Sequence, residues 1–263
     1  ENISDPLLEA RMKIFDKVAL ELALEATEKC LKGILEKDKI THLITVSCTG
    51  MSAPGLDLQL MEAMKLNKNI FRTSVNFMGC YAAIHALKLA DMICQSSATA
   101  NVLIVAVELC TLHFQKEFNA DNAASSLLFA DGCAAVLVSN QEYGTPAVRL
   151  SNFYSEVSVK GKSDMAWQLS SNGFQMRLSG YIPQLIEEDI TALVQAATNE
   201  AGLSFEDIKH WCVHPGGKRI LDTIEKKLLL KENALDDSRE ILKTYGNMSS
   251  PTVLFVLESL MRN

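Results

Sequence analysis

A layout of strand, turn and helix stated twice limits the folds open to this chain. Ile40-Thr-His-Leu-Ile-Thr-Val-Ser47 is β-branched and apolar, as a buried strand requires, and it runs into the small, turn-forming stretch Cys48-Thr-Gly-Met-Ser-Ala-Pro-Gly55. In the second half Ile208-Lys-His-Trp-Cys-Val213 reads as a short buried strand leading into His214-Pro-Gly-Gly217. A helical stripe precedes each: Phe15, Val18, Ala19, Leu22 and Ala26 in the first half, and Ile186, Ile190, Leu193, Val194 and Ala197 in the second. Cys80 lies 40 residues beyond Ile40, and Asn247 lies 39 beyond Ile208. Each follows a glycine and is expected to open a helix, with apolar faces Ala83, Ala86, Leu87, Ala90 and Val253, Val256, Leu257, Leu260. The pattern reads as an internal duplication that sets Cys80 and Asn247 at equivalent helix N-termini near a pseudo-twofold axis. Two ordinary βα units that share a spacing by coincidence are the alternative.

The duplication divides the chain into an N-terminal half, residues 1–145, carrying the cysteine, and a C-terminal half, residues 146–263, carrying the histidine and asparagine. After the Cys80 helix the first half continues with expected strands at 101–107 and 133–138, whereas the second half stops at Asn263, straight after its helix. Two C-terminal strands are therefore expected to be missing. Residues 147–154 can supply a strand ahead of the second half's first helix, and its N-terminal counterpart is expected to be missing as well.

At 263 residues, 48% of them hydrophobic and 22% charged, the chain can bury a large core, which excludes a disordered or low-complexity protein. A net charge of −7 argues against nucleic acid as a partner. No apolar run approaches the ~18 residues of a membrane span, and the N-terminus lacks a signal-peptide profile. Seven cysteines, widely spaced and with no C-x-x-C pair, point to a reducing, cytoplasmic setting without a metal site. Neither a dinucleotide fingerprint nor a Walker loop is present.

A thiol at a helix N-terminus lies among unpaired N–H groups at the positive end of the macrodipole, so Cys80 is expected to have a lowered pKa. Taken alone, a cysteine in an apolar helix is more often an inert core residue. His214, on a tight Pro-Gly-Gly turn, could pair with the thiolate. Asn247 either caps its helix or donates an amide N–H to a developing oxyanion. Together the three suit thioester exchange followed by carbanion chemistry, and the same trio in the same order also serves Cys-His-Asn hydrolases, whose local cysteine signature is absent here.

Four motifs, Gly79-Cys80-Tyr-Ala-Ala, Leu128-Phe-Ala-Asp-Gly132, Val213-His214-Pro-Gly-Gly217 and Tyr245-Gly-Asn247-Met-Ser-Ser250, resemble those of chalcone-synthase-like type III polyketide synthases. The resemblance runs from the helix near residue 12 to the helix near residue 260, and Glu108-Leu-Cys-Thr-Leu-His-Phe114 looks more like bacterial members than plant ones. It implies an α/β thiolase fold, layered αβαβα from two similar halves, and usually a homodimer. It implies acylation of Cys80 by a starter acyl-CoA, while His214 and Asn247 hold the thioester carbonyl of malonyl-CoA during decarboxylation. The enolate then attacks the acyl group in a Claisen condensation, with CoA thioesters as substrates and no permanently bound cofactor.

By position in the motifs, Phe129 corresponds to the family's aromatic gate and Phe174 to its second gating phenylalanine. Thr49, Cys110, His113, Ser125 and Ser249 fall at cavity-lining positions, and Gly216 and Gly217 at backbone positions beside CoA. Ala82-Ala83 replaces a Gly-richer stretch, and Ala53 stands where plant members often carry a methionine that reaches into the partner's cavity. The competing readings are a ketoacyl synthase III-like condensing enzyme, a catalytically idle thiolase-fold subunit and a Cys-His-Asn hydrolase.

Overall fold

The computed structural model describes residues 6–162 and 164–262. Its centre is strand β3, Asn101–Leu109, whose nine residues are all buried. Asn-Val-Leu-Ile-Val-Ala-Val-Glu-Leu is the near-continuous apolar run of a strand covered on both faces. Strand β1, His42–Ser47, lies parallel to β3 on one side and parallel to β2, Phe71–Asn76, on the other. Strand β4, Asp131–Ser139, closes the opposite edge antiparallel to β3, giving the order β2-β1-β3-β4.

Parallel neighbours need long crossovers, and helices provide them here. Helix α1, Leu8–Leu31, leads into β1; α2, Leu56–Met64, joins β1 to β2; α3, Ala82–Ser96, joins β2 to β3; and α4, Ala120–Leu128, precedes β4. Side chains alternate across a strand, so each face of the sheet takes its own cover. Ile44, Val46, Val102, Ile104 and Ala106 pack on Ala83, Ala86, Leu87 and Ala90 of α3. Leu43, Leu103 and Val105 pack on Ala23 and Leu31 of α1 and Leu60 and Met64 of α2. The stripe expected on the first helix is borne out, with Phe15 and Ala19 buried and Val18 and Leu22 packed beside them.

The close fit of α1 to the loop after β1 explains a glycine. A Cβ at Gly50 would lie 2.2 Å from Cδ1 and 2.3 Å from Cε1 of the buried Phe15 ring. Gly50→Ala is expected to destabilise the chain by ~1–3 kcal/mol, because a packed ring must move. Urea unfolding monitored by circular dichroism checks this, and an unchanged midpoint would show that the ring has room to shift.

In the second half, β5, Met165–Ser170, and β6, Gly173–Leu178, form an antiparallel hairpin. Four helices follow: α5, Ile182–Glu200; α6, Lys218–Lys227; α7, Asp236–Tyr245; and α8, Thr252–Arg262. Ile186, Ile190 and Val194 of α5 pack on Leu221 and Ile224 of α6, as the expected stripe required. Val253 and Leu254 of α8 join the α3 face of the sheet, so α3 and α8 share one layer between the halves.

Two expectations fail here. Residues 147–154 and 208–213 form no strand. Trp211 and Val213 pack inward like strand residues, but the Val213 carbonyl accepts from Ser238 Oγ at 2.7 Å instead of from a ladder neighbour. A β-branched sequence cannot become a strand without an edge to pair with, and none of the described strands lies beside it. The expected duplication is not matched element for element, because α7 stands in chain order where β2 stands in the first half. Asp236-Asp-Ser-Arg-Glu-Ile-Leu-Lys-Thr-Tyr245 puts acids in the first turn and buries Ser238 and Ile241, three residues apart on one helical face.

Candidate active site

The chain leaves β2 through two left-handed residues, Phe77 with φ 57° and Gly79 with φ 68°, then enters a single 3-10 turn, Gly79–Tyr81, that runs into α3. Gly79 adopts this conformation freely, whereas for Phe77 it costs on the order of 1–3 kcal/mol, which the surrounding fold must hold. The Gly79 N–H donates to Cys48 Sγ at 3.2 Å, tying the segment to the end of β1. Cys80 therefore does open a helix. Its pKa is not lowered, however: burial pushes the thiol up to about 11, a hydrogen bond from Ser249 works against the rise, and the Glu108 charge adds to it. Desolvation of the sulfur outweighs the field of the helix end.

His214 ends the extended segment, and both its ring nitrogens are buried without a hydrogen-bond partner. Burial holds its pKa down at about 4, so the ligand-free chain carries a thiol and a neutral imidazole, not an ion pair. A buried imidazole with both nitrogens unsatisfied is costly for the fold and available to a ligand.

Asn247 does not open a helix, since α8 begins only at Thr252. It forms a parallel bridge with Phe129: its N–H donates to Leu128 O and its carbonyl accepts from Ala130 N, both at 2.9 Å. Its Oδ1 accepts from Ser249 N at 2.9 Å and from Thr252 Oγ1 at 3.5 Å, while Nδ2 donates to Gly216 O at 3.5 Å. The residues 247–250 are thus the hub of the site. Ser249, itself left-handed with φ 58°, reaches Cys80, and Asn247 reaches the His214 loop.

The remaining candidates divide. Phe129 lies against this hub through its bridge to Asn247. Gly216 donates its N–H to His214 O at 2.9 Å, and a Cβ there would stand 3.0 Å from Ile220 Cδ1. Gly217 precedes α6 and faces Leu128, 3.9 Å from its would-be Cβ. Cys110, in the 3-10 turn Cys110–His113, is enclosed, its thiol pushed well up by burial and by the charges of Glu108 and Cys80. Ser125 spends its hydroxyl on Asp121 O at 2.6 Å. Thr49 donates to Glu108 at 2.8 Å and accepts from Leu109 N at 2.9 Å, so its hydroxyl is already engaged on both sides.

His113 is held more firmly still. Phe174 N–H donates to Nδ1 at 3.0 Å, so Nε2 carries the proton and donates to Thr49 O at 2.7 Å. Its ring stacks on Phe174 at 4.2 Å, and both rings meet Trp167 edge-on. Phe174 is therefore an anchored core ring whose other edge contacts Phe77, three residues before the cysteine. A groove of about 360 Å³ between Ser158, Gly161, Lys162 and Met165 on one side and α5 on the other is lined by Ile182, Leu185, Ile186 and Ile190, and by none of the candidate residues.

Burial lowers the pKa of His113 to about 4 from an ordinary 6.5, so the stability it supports is complete above pH 6.5 and is lost as the pH falls toward 4. His214 acts in the same direction. Glu108, raised to about 7 from 4.5, acts in the opposite one, its contribution present below 4.5 and lost through 7. With two groups against one, the Tm is expected to be lower at pH 4.5 than at pH 7. Thermal melts at both values check this, and an equal or higher Tm at pH 4.5 would refute it.

Sequence reasoning passed over Glu108 as a site residue. It is 0% exposed and accepts hydrogen bonds from Cys48 N and Thr49 Oγ1 at 2.8 Å, Ser47 Oγ at 3.3 Å and Ser250 Oγ at 2.8 Å. The signal was available, since an acid inside an uninterrupted apolar strand run must be paired or functional. Trp167, whose Nε1 donates to Cys48 O at 2.6 Å, offered no comparable signal.

A mixed sheet backed by a shared layer of α3 and α8, with a cysteine from one half against an asparagine turn from the other, defines a thiolase-fold protein. Residues 2–142 match the N-terminal domain of chalcone and stilbene synthases and residues 154–263 their C-terminal domain, so the chain belongs to that family of acyltransferase-type enzymes, the type III polyketide synthases. "Type III polyketide synthase A" of Arabidopsis thaliana is 32% identical over 262 residues, covering 96% of this chain and 66% of its own length. "Probable polyketide synthase 1" of Dictyostelium discoideum is 32% identical over 253 residues, 93% of this chain and 8% of its own. This chain thus spans just under two thirds of the first relative and a small part of the second.

Among solved structures, PKS-I of the brown alga Ectocarpus siliculosus superposes with a TM-score of 0.90 at 29% identity, over 98% of this chain and 69% of that one. The C-terminal type III domain of Steely1, a type I/III hybrid from Dictyostelium, gives 0.85 at 29%, over 98% and 73%. No helix among the described residues is long and apolar enough to cross a membrane.

Proposed function

We propose that this chain carries the catalytic core of a type III polyketide synthase, with Cys80 as nucleophile and His214 and Asn247 as the groups that hold the thioester carbonyl. The observation that carries the reading is the turn at 247–250, where Asn247 is fixed by its bridge to Phe129 and reaches the His214 loop through Nδ2, while Ser249 moderates the rise in the Cys80 pKa. In the first step Cys80 gives up its proton and attacks the carbonyl of an acyl-CoA. The C–S bond to CoA breaks, and CoA leaves as the thiol. In the second, malonyl-CoA loses CO₂, and the electron pair of the broken bond becomes an enolate. Its oxygen is held by N–H donors of His214 and Asn247. The enolate carbon then attacks the Cys80 thioester, expels the thiolate and leaves a β-ketoacyl-CoA.

The raised thiol and neutral imidazole fit this order. A neutral ring can take the thiol proton at acylation and later present an N–H to the enolate. Phe129, bridged to Asn247, is assigned to the entrance of the acyl cavity, and Gly216 and Gly217 to backbone contact with CoA. Cys110, Ser125 and Ser249 are assigned to its wall. Thr49, His113 and Phe174 are assigned behind that wall, because their polar groups or rings are engaged within the protein.

The same proposal takes the working form to be a cytoplasmic homodimer. Strand β2 is an unpaired edge, with Phe71 70% exposed and Met51, Met78 and Tyr81 exposed nearby. An edge of this kind is a template for strand pairing, and a second copy would cover it. Light scattering should give twice the 28.9 kDa of the chain, and a monomer at micromolar concentration would remove the dimer from the proposal.

The decisive experiment incubates the protein from its native-length gene with mixed acyl-CoAs and malonyl-CoA and follows products by mass spectrometry. Malonyl-dependent pyrones or phenols are expected. Release of free acid without malonyl-CoA would favour the hydrolase, a requirement for an acyl carrier protein the ketoacyl synthase III-like enzyme, and no product from folded protein the idle subunit.

A further inference from the structure

Glu108 is the one fully buried carboxylate that touches both halves of the described chain at the nucleophile. Its two oxygens serve different sides. Oε2 accepts from Cys48 N, Thr49 Oγ1 and Ser47 Oγ at the end of β1, and the Cys48 thiol in turn receives the Gly79 N–H immediately before Cys80. Oε1 accepts from Ser250 Oγ, the neighbour of the Ser249 that hydrogen-bonds Cys80. One carboxylate thus holds both the end of β1, to which Gly79 is tied through the Cys48 sulfur, and Ser250, the residue next to Ser249. Four donors on a single buried anion fix its position well, since moving any of them strands a charge-assisted bond in a dry site.

We propose that Glu108 is the positioning residue that sets the reactivity of Cys80, through two opposed effects: its grip on Ser250 seats Ser249 as a donor to the sulfur, and its charge opposes the thiolate. This rests on the reading of Cys80 as nucleophile. The groups facing Glu108 are the thiols of Cys48, Cys80, Cys110 and Cys133 and the hydroxyls of Ser47, Thr49 and Ser250. No cation is among them, so among the described residues nothing neutralises the charge before it reaches Cys80. The thiols of Cys48 and Cys133 are themselves pushed up to about 12, which leaves them neutral where Cys80 begins to titrate.

Two variants separate the effects because their signs differ. Glu108→Gln keeps the bracket, its amide oxygen accepting from Cys48 N and Thr49 and its N–H₂ donating to Ser250, and removes the charge. Ser250→Ala keeps the charge and releases Ser249. The readout is the rate of iodoacetamide alkylation at Cys80, followed by peptide mass spectrometry so that the other thiols do not contribute, at pH 8 on full-length protein. A shift of about one pKa unit changes the thiolate population tenfold, and with the accompanying change in nucleophilicity the rate changes about threefold.

Glu108→Gln is expected to react about threefold faster than wild type and Ser250→Ala about threefold slower. Rates equal to wild type in the variants that fold, whatever their Tm, would overturn the proposal, because a merely structural residue changes stability without moving the thiol. If Glu108→Gln fails to fold, the slowing in Ser250→Ala decides alone. A wild-type Cys80 that never alkylates in folded protein would overturn the nucleophile reading, and this inference with it. A reactive Cys80 with unmoved rates overturns only the role of Glu108.

Discussion

Cys80→Ala protein, expressed from the native-length gene and incubated with acyl-CoAs, is expected to show no acyl adduct in its intact mass, and polyketide formation is expected to fall by at least ~10³-fold. The adduct and the product vanish together because the proposed reaction uses the sulfur both as the acceptor of the starter and as the leaving group of the condensation. The variant should fold normally. Cys80 lies in the 3-10 turn ahead of α3, and the buried residues that anchor that helix are Ala82, Ala83, Ala86, Leu87, Ala90 and Cys94. An adduct that persists in Cys80→Ala would move the nucleophile to another thiol, the first candidate being Cys48, whose sulfur accepts from the N–H of Gly79 just before Cys80. Product that persists with no adduct at all would rule out covalent loading.

The second large effect belongs to Asn247. Asn247→Asp keeps an oxygen to accept from Ser249 N and Thr252 Oγ1, so the turn survives, but it replaces the N–H donor with an anion. A donor aimed at a developing oxyanion contributes ~10²–10³ in rate, and a negative charge in its place repels the enolate. Malonyl-CoA decarboxylation is therefore expected to drop at least ~10²-fold, while acyl loading at Cys80 remains detectable. Release of ¹⁴CO₂ from carboxyl-labelled malonyl-CoA, measured beside the intact mass, separates the two steps. Decarboxylation at the wild-type rate would remove Asn247 from the chemistry and leave it as the fastener of the 247–252 turn.

Much of this site was legible as sequence because its residues are tied to local signals. Gly79-Cys80 follows a strand and precedes a small-residue helix, and both elements form there. The apolar run of β3 is so continuous that only a doubly covered strand accommodates it, and its one acid marked Glu108 for anyone asking what a buried charge is for. His113 shows the limit. A histidine on a short turn near a cavity motif and a core histidine with both nitrogens engaged look alike in sequence, and the difference lies in the Phe174 N–H that arrives from a hairpin 61 residues away.

The low pKa expected for Cys80 fails for the same kind of reason. The helix N-terminus is a local feature that the sequence shows. The enclosure of the sulfur, which outweighs it, comes from packing that only the folded chain makes. Likewise Asn247 follows a glycine as Cys80 does, yet it sits five residues ahead of its helix, in a bridge to Phe129 that no periodicity announces.

Residue types alone carry the family motifs, the helical faces and the identity of the three residues proposed for the chemistry. These follow from residue types at short range, where side-chain period and turn chemistry act within a few residues. Long-range contacts decide that 208–213 is extended without being a strand, that 236–245 is a helix, and that Glu108 joins the end of β1 to Ser250. Strand pairing, desolvation and hydrogen bonds between distant segments are properties of which surfaces meet, and that depends on contacts made between residues far apart in the chain.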